Sequence, residues 1–154
     1  EMTSDMIDEA RKHGFKSINL DLIYGLPFQN KETFKETLRQ VLAVGTDGIK
    51  LHGLHIVEGS TMAKAWKAGK LEAPSLEEYV DVATEMIQRT PAEVIYHRVS
   101  SAARRPTLLS PLWCENRWLA MTEIGRSLDK SGAQGCKNGE AFVYTLPQLN
   151  MTPN

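Results

Sequence analysis

The stretch Asn19-Leu20-Asp21-Leu22-Ile23-Tyr24-Gly25-Leu26-Pro27 leaves the backbone few options. Leu20, Leu22, Ile23 and Tyr24 make a short, mostly apolar run that reads as a buried β-strand. Pro27 lacks the N–H that a ladder needs, so the strand has to stop there. Gly25 lets the backbone approach a ligand or a neighbouring strand closely. Asp21 is the anomaly, because an acid buried without a partner carries a heavy desolvation cost. Two roles are compatible with it. It is either a paired structural acid or a ligand-facing one near the C-terminal end of a parallel strand, where α/β folds place their sites.

Helical patterns flank this strand. Residues 3–13 read as a helix that Thr3 or Ser4 can cap, with Met6, Ile7 and Ala10 on its apolar stripe and Gly14 ending it. Asn30 caps a second helix, in which Phe34, Leu38, Val41 and Leu42 fall at helical spacing. After the turn Gly45-Thr46-Asp47-Gly48, Ile49 to Val57 reads as a second strand. Helix, strand, helix, strand with short loops predicts βα units and a parallel sheet. Ser60 or Thr61 then opens a short helix through Trp66. Ser75 opens a longer one with Glu78 at its third position, a capping box, and Pro91 ends it. Glu93–His97 is a third strand, 100–112 are irregular, and 115–130 are a last helix around Trp118, Leu119, Met121, Ile124 and Leu128. Residues 131–154, rich in Gly, Asn and Pro, read as a loose tail. Three strands cannot close a barrel, so the expected sheet is an open one.

Composition is that of an ordinary globular chain. A net charge of −1 gives no global field to attract nucleic acid or an acidic membrane surface. No apolar run is long enough to span a bilayer. Cys114 and Cys136 do not make a disulfide framework, which points to a reducing cytoplasm. The chain begins at Glu1 with a helix that leads at once into a buried-looking strand, as expected of a piece of a longer protein.

Several side chains are chemically able. His52 and His55, three apart on the second predicted strand, should face opposite ways and so not share a metal ion. Each is either a half-buried structural imidazole or a site residue at a strand end, and Glu58 just beyond is a loop carboxylate. His97, Arg98, Arg104 and Arg105 form a basic cluster that suits phosphate or carboxylate, or else structural ion pairs. Trp113, Cys114, Asn116, Arg117 and Trp118 read as packing against the sheet end, with Cys114 a buried thiol. No phosphate loop, nucleophile elbow, HExxH or CxxC is present.

Asp21-Leu22-Ile23-Tyr24-Gly25-Leu26-Pro27, followed by Gln29 and Phe34, resembles the fifth-strand motif of radical S-adenosylmethionine (SAM) enzymes. The first forty or so residues are most similar to the oxygen-independent coproporphyrinogen dehydrogenase group. From Asp47 to about Leu128 the chain resembles YhcC-type radical SAM proteins. The segments that carry this are Asp47–His52, Leu54–Val57, Met62–Trp66, Val94–Arg98 and Pro111–Trp118. Pro91 to Trp113 is also similar to the segment after the radical SAM core in the Elongator catalytic subunit, a tRNA modifier.

The resemblance implies an α/β fold, here a partial (β/α) barrel fragment with a C-terminal helical extension. Residues 1–90 would be the C-terminal part of the barrel, 91–130 a post-core segment and 131–154 the tail. It implies SAM and a [4Fe-4S] cluster, which reduces SAM to a 5′-deoxyadenosyl radical that abstracts a substrate hydrogen. The CxxxCxxC loop that binds such a cluster is absent here, so no metal ligands are assigned, and the natural partner is the missing N-terminal half of the barrel. The implied cofactor-binding residues are Asp21, Ile23, Gly25, Leu54 and His55, with Gly25 keeping the rim clear for the adenine. The substrate, a small molecule or a tRNA, is left open. A coproporphyrinogen dehydrogenase-like enzyme of heme synthesis and a tRNA-modifying or RNA-binding module are the alternatives.

Overall fold

The computed structural model describes residues 2–140. In chain order the elements are α1 (Met2–Lys12), β1 (Asn19–Tyr24), α2 (Lys31–Ala43), β2 (Gly48–Gly53), β3 (Ile56–Val57), α3 (Thr61–Lys67), α4 (Leu76–Arg89), β4 (Ile95–Arg98), β5 (Leu108–Ser110) and α5 (Arg117–Ser131). A 3₁₀ turn, Leu112–Glu115, precedes α5. β1, β2 and β4 form a parallel sheet in the order β1-β2-β4, so β2 is central. Parallel neighbours need a crossover; α2 supplies the first and α4 lies within the second.

The caps explain where the crossover helices start. Asn30 accepts from Thr33 N while Thr33 Oγ1 accepts from Asn30 N, a reciprocal capping box. Ser75 accepts from Glu78 N, but the returning half of the box expected there is replaced by a tertiary bond. The Glu78 carboxylate accepts the Tyr24 hydroxyl proton at 2.7 Å and so ties α4 to the end of β1.

One face of the sheet is the core. Leu22 and Tyr24 from β1 and Ile49 and Leu51 from β2 pack against Phe34 and Leu38 of α2, the Tyr79–Ile87 side of α4, and Ala120 and Ile124 of α5. The Tyr24 and Phe34 rings meet at 5.2 Å between centroids. The opposite face carries Asn19, Asp21, Ile23, Lys50, His52 and His97 and has no helix over it among the described residues. The burial expected for Asp21 is therefore wrong: its side chain is 59% exposed. The alternation along β1 buries Leu22 and Tyr24 and turns Asp21 and Ile23 outward.

Three other expectations are corrected. The second strand is not continuous, because it ends at Gly53 and the chain turns before β3. The segment 100–112 is not wholly irregular, because β5 pairs antiparallel with β3. These two strands are too short to show a period in the sequence. Residues 131–140 are not loose. Gly135 N and Lys137 N donate to Ile87 O and Gln88 O in the last turn of α4, where Ile87 O also accepts from the cap residue Thr90. Gln134 donates to Pro91 O and Val94 O, and Gln88 donates to Ser131 Oγ. The rest of the predicted tail, 141–154, lies outside the described residues.

α2 and α4 are joined by an ion-pair network. Glu85 sits between Lys31 (2.7 Å), Lys35 (3.4 Å) and Arg89 (2.9 Å). Partial burial alone would raise its carboxyl pKa, but the hydrogen bonds from Lys31 and Arg89 dominate and hold it at about 2 instead of 4.5. A depressed carboxyl stabilises the fold fully above its unfolded pKa and loses that contribution as pH falls from 4.5 towards 2. Glu85→Gln is expected to lower the unfolding free energy at pH 7 by about 1–3 kcal/mol. It should also flatten the acid limb, so that variant and parent converge in urea titrations near pH 2.

Candidate functional site

The C-terminal ends of β1 and β2 lie side by side. The register pairs Asp21 with Lys50, Ile23 with His52 and Tyr24 with Gly53. Leu54 N donates to Tyr24 O at 2.8 Å and extends the ladder by one bond before the chain turns. A cavity of about 320 Å³ opens there, lined by Asp21, Ile23, His52, Gly53, Leu54, His55 and Ser101.

Four of the five residues expected at the site, Asp21, Ile23, Leu54 and His55, thus meet at one place. Gly25 does not. It faces the neighbouring loop, with φ at +104°, and a Cβ added to it would lie 2.6 Å from Pro74 Cδ. A glycine here lets Pro74 approach and the chain turn. The loop is held by Gln29, whose Oε1 accepts from Gly25 N at 2.8 Å and from Leu26 N at 3.2 Å. Gln29, singled out as part of the motif, therefore shapes the turn after β1.

The two imidazoles share the cavity, contrary to the expectation that they diverge. Strand alternation stops at Gly53, so the three-residue spacing no longer places them on opposite faces. His52 Nε2 stands 3.9 Å from Asp21 Oδ2, and Lys50 Nζ stands 3.7 Å from Asp21 Oδ1. His55 Nε2 is 3.4 Å from Ser101 Oγ. Burial lowers the pKa of both rings; Asp21 opposes this at His52, while Arg98 and Lys50 add to it, and His52 adds to it at His55. At neutral pH the site holds two neutral imidazoles, each able to donate from one nitrogen and accept at the other, beside an exposed carboxylate.

Ser101 escaped the sequence reading. The only signal for it was position, three residues past the end of β4, which no spacing rule links to His55. The basic cluster disperses. Arg105 pairs with Glu115 at 2.8 Å, and His97 contacts Asn19 Oδ1 at 3.0 Å. Arg98 and Arg104 are exposed, without an ion pair among the described residues. Cys114 is buried as expected, its thiol pushed up to about 12 by burial. Trp113 is a packing residue, stacked on Tyr79 at 5.3 Å, whereas Trp118 is not: it is 56% exposed. A larger cavity of about 590 Å³ flanks β1 between α1 and α2, but it gathers no imidazole, thiol or lysine.

Two measurements check this geometry. In an NMR pH titration both ring protons should report midpoints below the ordinary 6.5. Stability from these rings is present above pH 6.5 and falls as acid protonates them, the sign expected for groups buried neutral. Gly25→Val should destabilise the fold by about 2 kcal/mol or more, through the positive φ and the collision with Pro74. Thermal or urea unfolding reads this, and an unchanged midpoint would contradict the placement of Gly25.

Comparison with known proteins places this chain in a family. The Radical_SAM C-terminal domain matches residues 46–130, more than half of the chain. Protein YhcC of Escherichia coli K12 is 54% identical over 134 residues, 87% of this chain and 43% of that protein. YtqA of Bacillus subtilis is 31% identical over 127 residues, 82% of this chain and 39% of that protein. The chain thus spans less than half the length of these relatives. The oxygen-independent coproporphyrinogen III oxidase of Helicobacter pylori is 53% identical over 47 residues, 30% of this chain. In fold, the chain is similar to archaeal Elp3 of Methanocaldococcus infernus with a TM-score of 0.64, at 18% identity, over 84% of this chain and 31% of that one. The chain belongs to the radical SAM family, as a YhcC-type member that carries the family's C-terminal domain on an open parallel sheet.

Proposed function

We propose that this chain is the C-terminal part of a radical SAM enzyme core and that its strand-end cavity receives the adenosyl part of SAM. The observation that carries this reading is the meeting of Asp21, Ile23, Leu54 and His55 at the ends of two adjacent parallel strands in a chain of this family.

The residues present fit that group. An adenine needs an apolar wall and polar groups at its edge. Ile23, 43% exposed, and Leu54 form the wall, and the His55 ring and the Ser101 hydroxyl stand at the edge. The Asp21 carboxylate, only loosely paired, is placed to accept from ribose hydroxyls or to face a cationic ligand group. Because His52 and His55 are neutral at pH 7, they add no positive charge against a sulfonium.

Reductive cleavage of SAM at an iron–sulfur cluster supplies hydrogen abstraction in this family. The residues of this chain do not fit the cluster itself. Such a cluster takes closely spaced thiolates, whereas Cys114 is buried and Cys136 is 22 positions further along. Among the described residues no group of three or more His, Cys, Asp or Glu could hold a metal ion. The proposal therefore assigns the cluster to the remainder of the full-length protein. The same remainder would cover the open sheet face and continue the sheet at the free edge of β1, since parallel sheets are ordinarily covered on both faces. The unpaired Cys114 and Cys136 favour reducing surroundings, and we take a cytoplasmic location from this. No helix among the described residues is long and apolar enough to cross a membrane. The similarity to the Helicobacter pylori coproporphyrinogen oxidase covers 30% of this chain and 10% of that protein, and assigns no porphyrin chemistry here.

The test is calorimetric titration of SAM into the reconstituted full-length protein. Ile23 is exposed, so Ile23→Asp should leave the fold intact while placing a charge against the adenine. Affinity should fall by about 1–3 kcal/mol, the cost of a desolvated polar group without a partner. Unchanged affinity, with the cluster absorbance and circular dichroism also unchanged, would put the SAM pocket elsewhere.

A further inference from the structure

A groove of about 430 Å³ runs between the segment after β4 and the start of α5. We propose that it is a docking surface for an acidic amphipathic helix of a partner protein, one that presents carboxylates beside apolar anchor residues. The inference rests on this face alone and does not depend on the SAM reading.

The side chains on this face are those of an interface. Arg98 from β4 and Arg117, Trp118 and Met121 from α5 line the groove, and none of its lining residues is acidic. Trp, Met and Arg are enriched where proteins meet, whereas Glu and Asp are depleted there. Trp118 is 56% and Met121 41% exposed, so both apolar side chains stand in water while α5 buries Ala120 and Ile124 on its other side. An indole that the fold itself leaves unpacked is the kind of group that anchors a partner.

The shape of α5 suits a second helix. Trp118, Met121 and Gly125 follow one another at three- and four-residue spacing and share one face. Gly125 lies inside the helix, where glycine is unfavourable. A Cβ added to it would meet nothing within 4 Å, so packing within this chain does not demand its smallness. It leaves a flat step over which another helix backbone can pass closely. Ser100 Oγ donates to Arg117 O at 3.2 Å and ties the start of α5 to the segment after β4, so the face is set before a partner arrives.

Charge decides the occupant. Neither Arg98 nor Arg117 forms an ion pair among the described residues. The Arg117 guanidinium lies 4.7 Å from the Trp118 ring centroid, so one cation already stands beside the apolar anchor. Two unspent guanidinium forks next to an apolar contact suit a segment that pairs carboxylates with bulky apolar residues. A second copy of this chain docked face to face would bring the same arginines together and be repelled. A long polyanion draws on an extended positive field, which a net charge of −1 and a groove without lysine do not supply.

The probe is a phage-displayed library of short random peptides, selected on the full-length protein. The recovered peptides should be net negative and should carry Asp or Glu close to Trp, Phe or Leu at helical spacing. The strongest of them, labelled with fluorescein, is then titrated by anisotropy. Trp118→Ala should weaken its binding by about tenfold or more, as expected for a central aromatic anchor, and Trp118→Phe should retain most of the affinity. Arg98→Glu and Arg117→Glu should each weaken it and reduce its dependence on salt. Gly125→Leu should also weaken it, by bulk alone, while circular dichroism shows at least as much helix, an outcome that a merely structural role would not give. Recovery of no peptides, or of neutral or basic ones, would overturn the proposal. So would wild-type affinity in the Trp118→Ala and Arg117→Glu variants with circular dichroism unchanged. Self-association that Trp118→Ala abolishes would make a second copy the occupant, and displacement of the peptide by an equal concentration of single-stranded RNA would make the face a nucleic-acid one. Peptide binding to the 154-residue chain but not to the full-length protein would assign the face to the remainder of the protein's own chain.

Discussion

β2 bears more of this structure than any other element, because it is hydrogen-bonded in parallel on both sides. Its position is set before its first residue. Asp47 accepts from Ile18 N at 2.8 Å and from Arg11, while Asp47 O accepts from Ile95 N. One residue thus aligns the starts of β1, β2 and β4. The backbone hydrogen bond and the nearby guanidinium hold the Asp47 carboxyl below the usual range. Gly48 follows because a Cβ there would meet Asn19 Oδ1 and His97 Nε2. Ile49 and Leu51 then face the helices and are almost wholly buried. A side chain at Gly48 would displace the Asn19 and His97 side chains, which meet at 3.0 Å over this point.

The far end of β2 matters for a different reason. Gly53 lies against Trp113 and Tyr79, where a Cβ would stand 3.2 Å from Trp113 Cη2, a tight fit. Beyond it Leu54 makes a last ladder bond and then packs into a second small core with Ile56 and Ala63. The break between β2 and β3 therefore follows from a change of core: the residues before it serve the sheet and those after it serve the β3–β5 pair. His52 and His55 belong to either side of this break, and their meeting in one cavity is its consequence. Trp113 reinforces the corner by donating to Pro74 O at 3.0 Å. Pro74 in turn is what crowds Gly25.

Much of the frame was legible in the chain because it rests on local rules. Asn30 and Ser75 announce helices through the backbone donors that they satisfy. Pro27 and Gly25 end a strand, and the short apolar runs around Leu22 and Ile49 identify the two strands that pair. At the site, Asp21, Ile23, Leu54 and His55 were legible as strand-end residues, given a parallel pairing. The exposure of Asp21 was not, since an apolar run says that a strand has a buried face without saying whether the other face is covered. Nor was the half-formed box at Ser75, because Glu78 finds a stronger use in the Tyr24 hydroxyl, which only the assembled sheet brings within reach.

By itself, then, the sequence determined the order of the helices and of the three parallel strands, the parallel α/β class, and the family through the run from Asp47 to Trp118. Those properties follow from periodicity, caps and motif residues that act over a few positions. Tertiary structure alone decided that Gly25 makes room for Pro74, that Ser101 joins His55, that residues 131–140 cap the end of α4, and that Trp118 faces solvent beside Arg117 instead of packing. Each of these joins parts of the chain far apart in sequence or turns on which helix face the fold leaves uncovered. Neither is encoded in local spacing, because both depend on where the neighbouring elements come to rest.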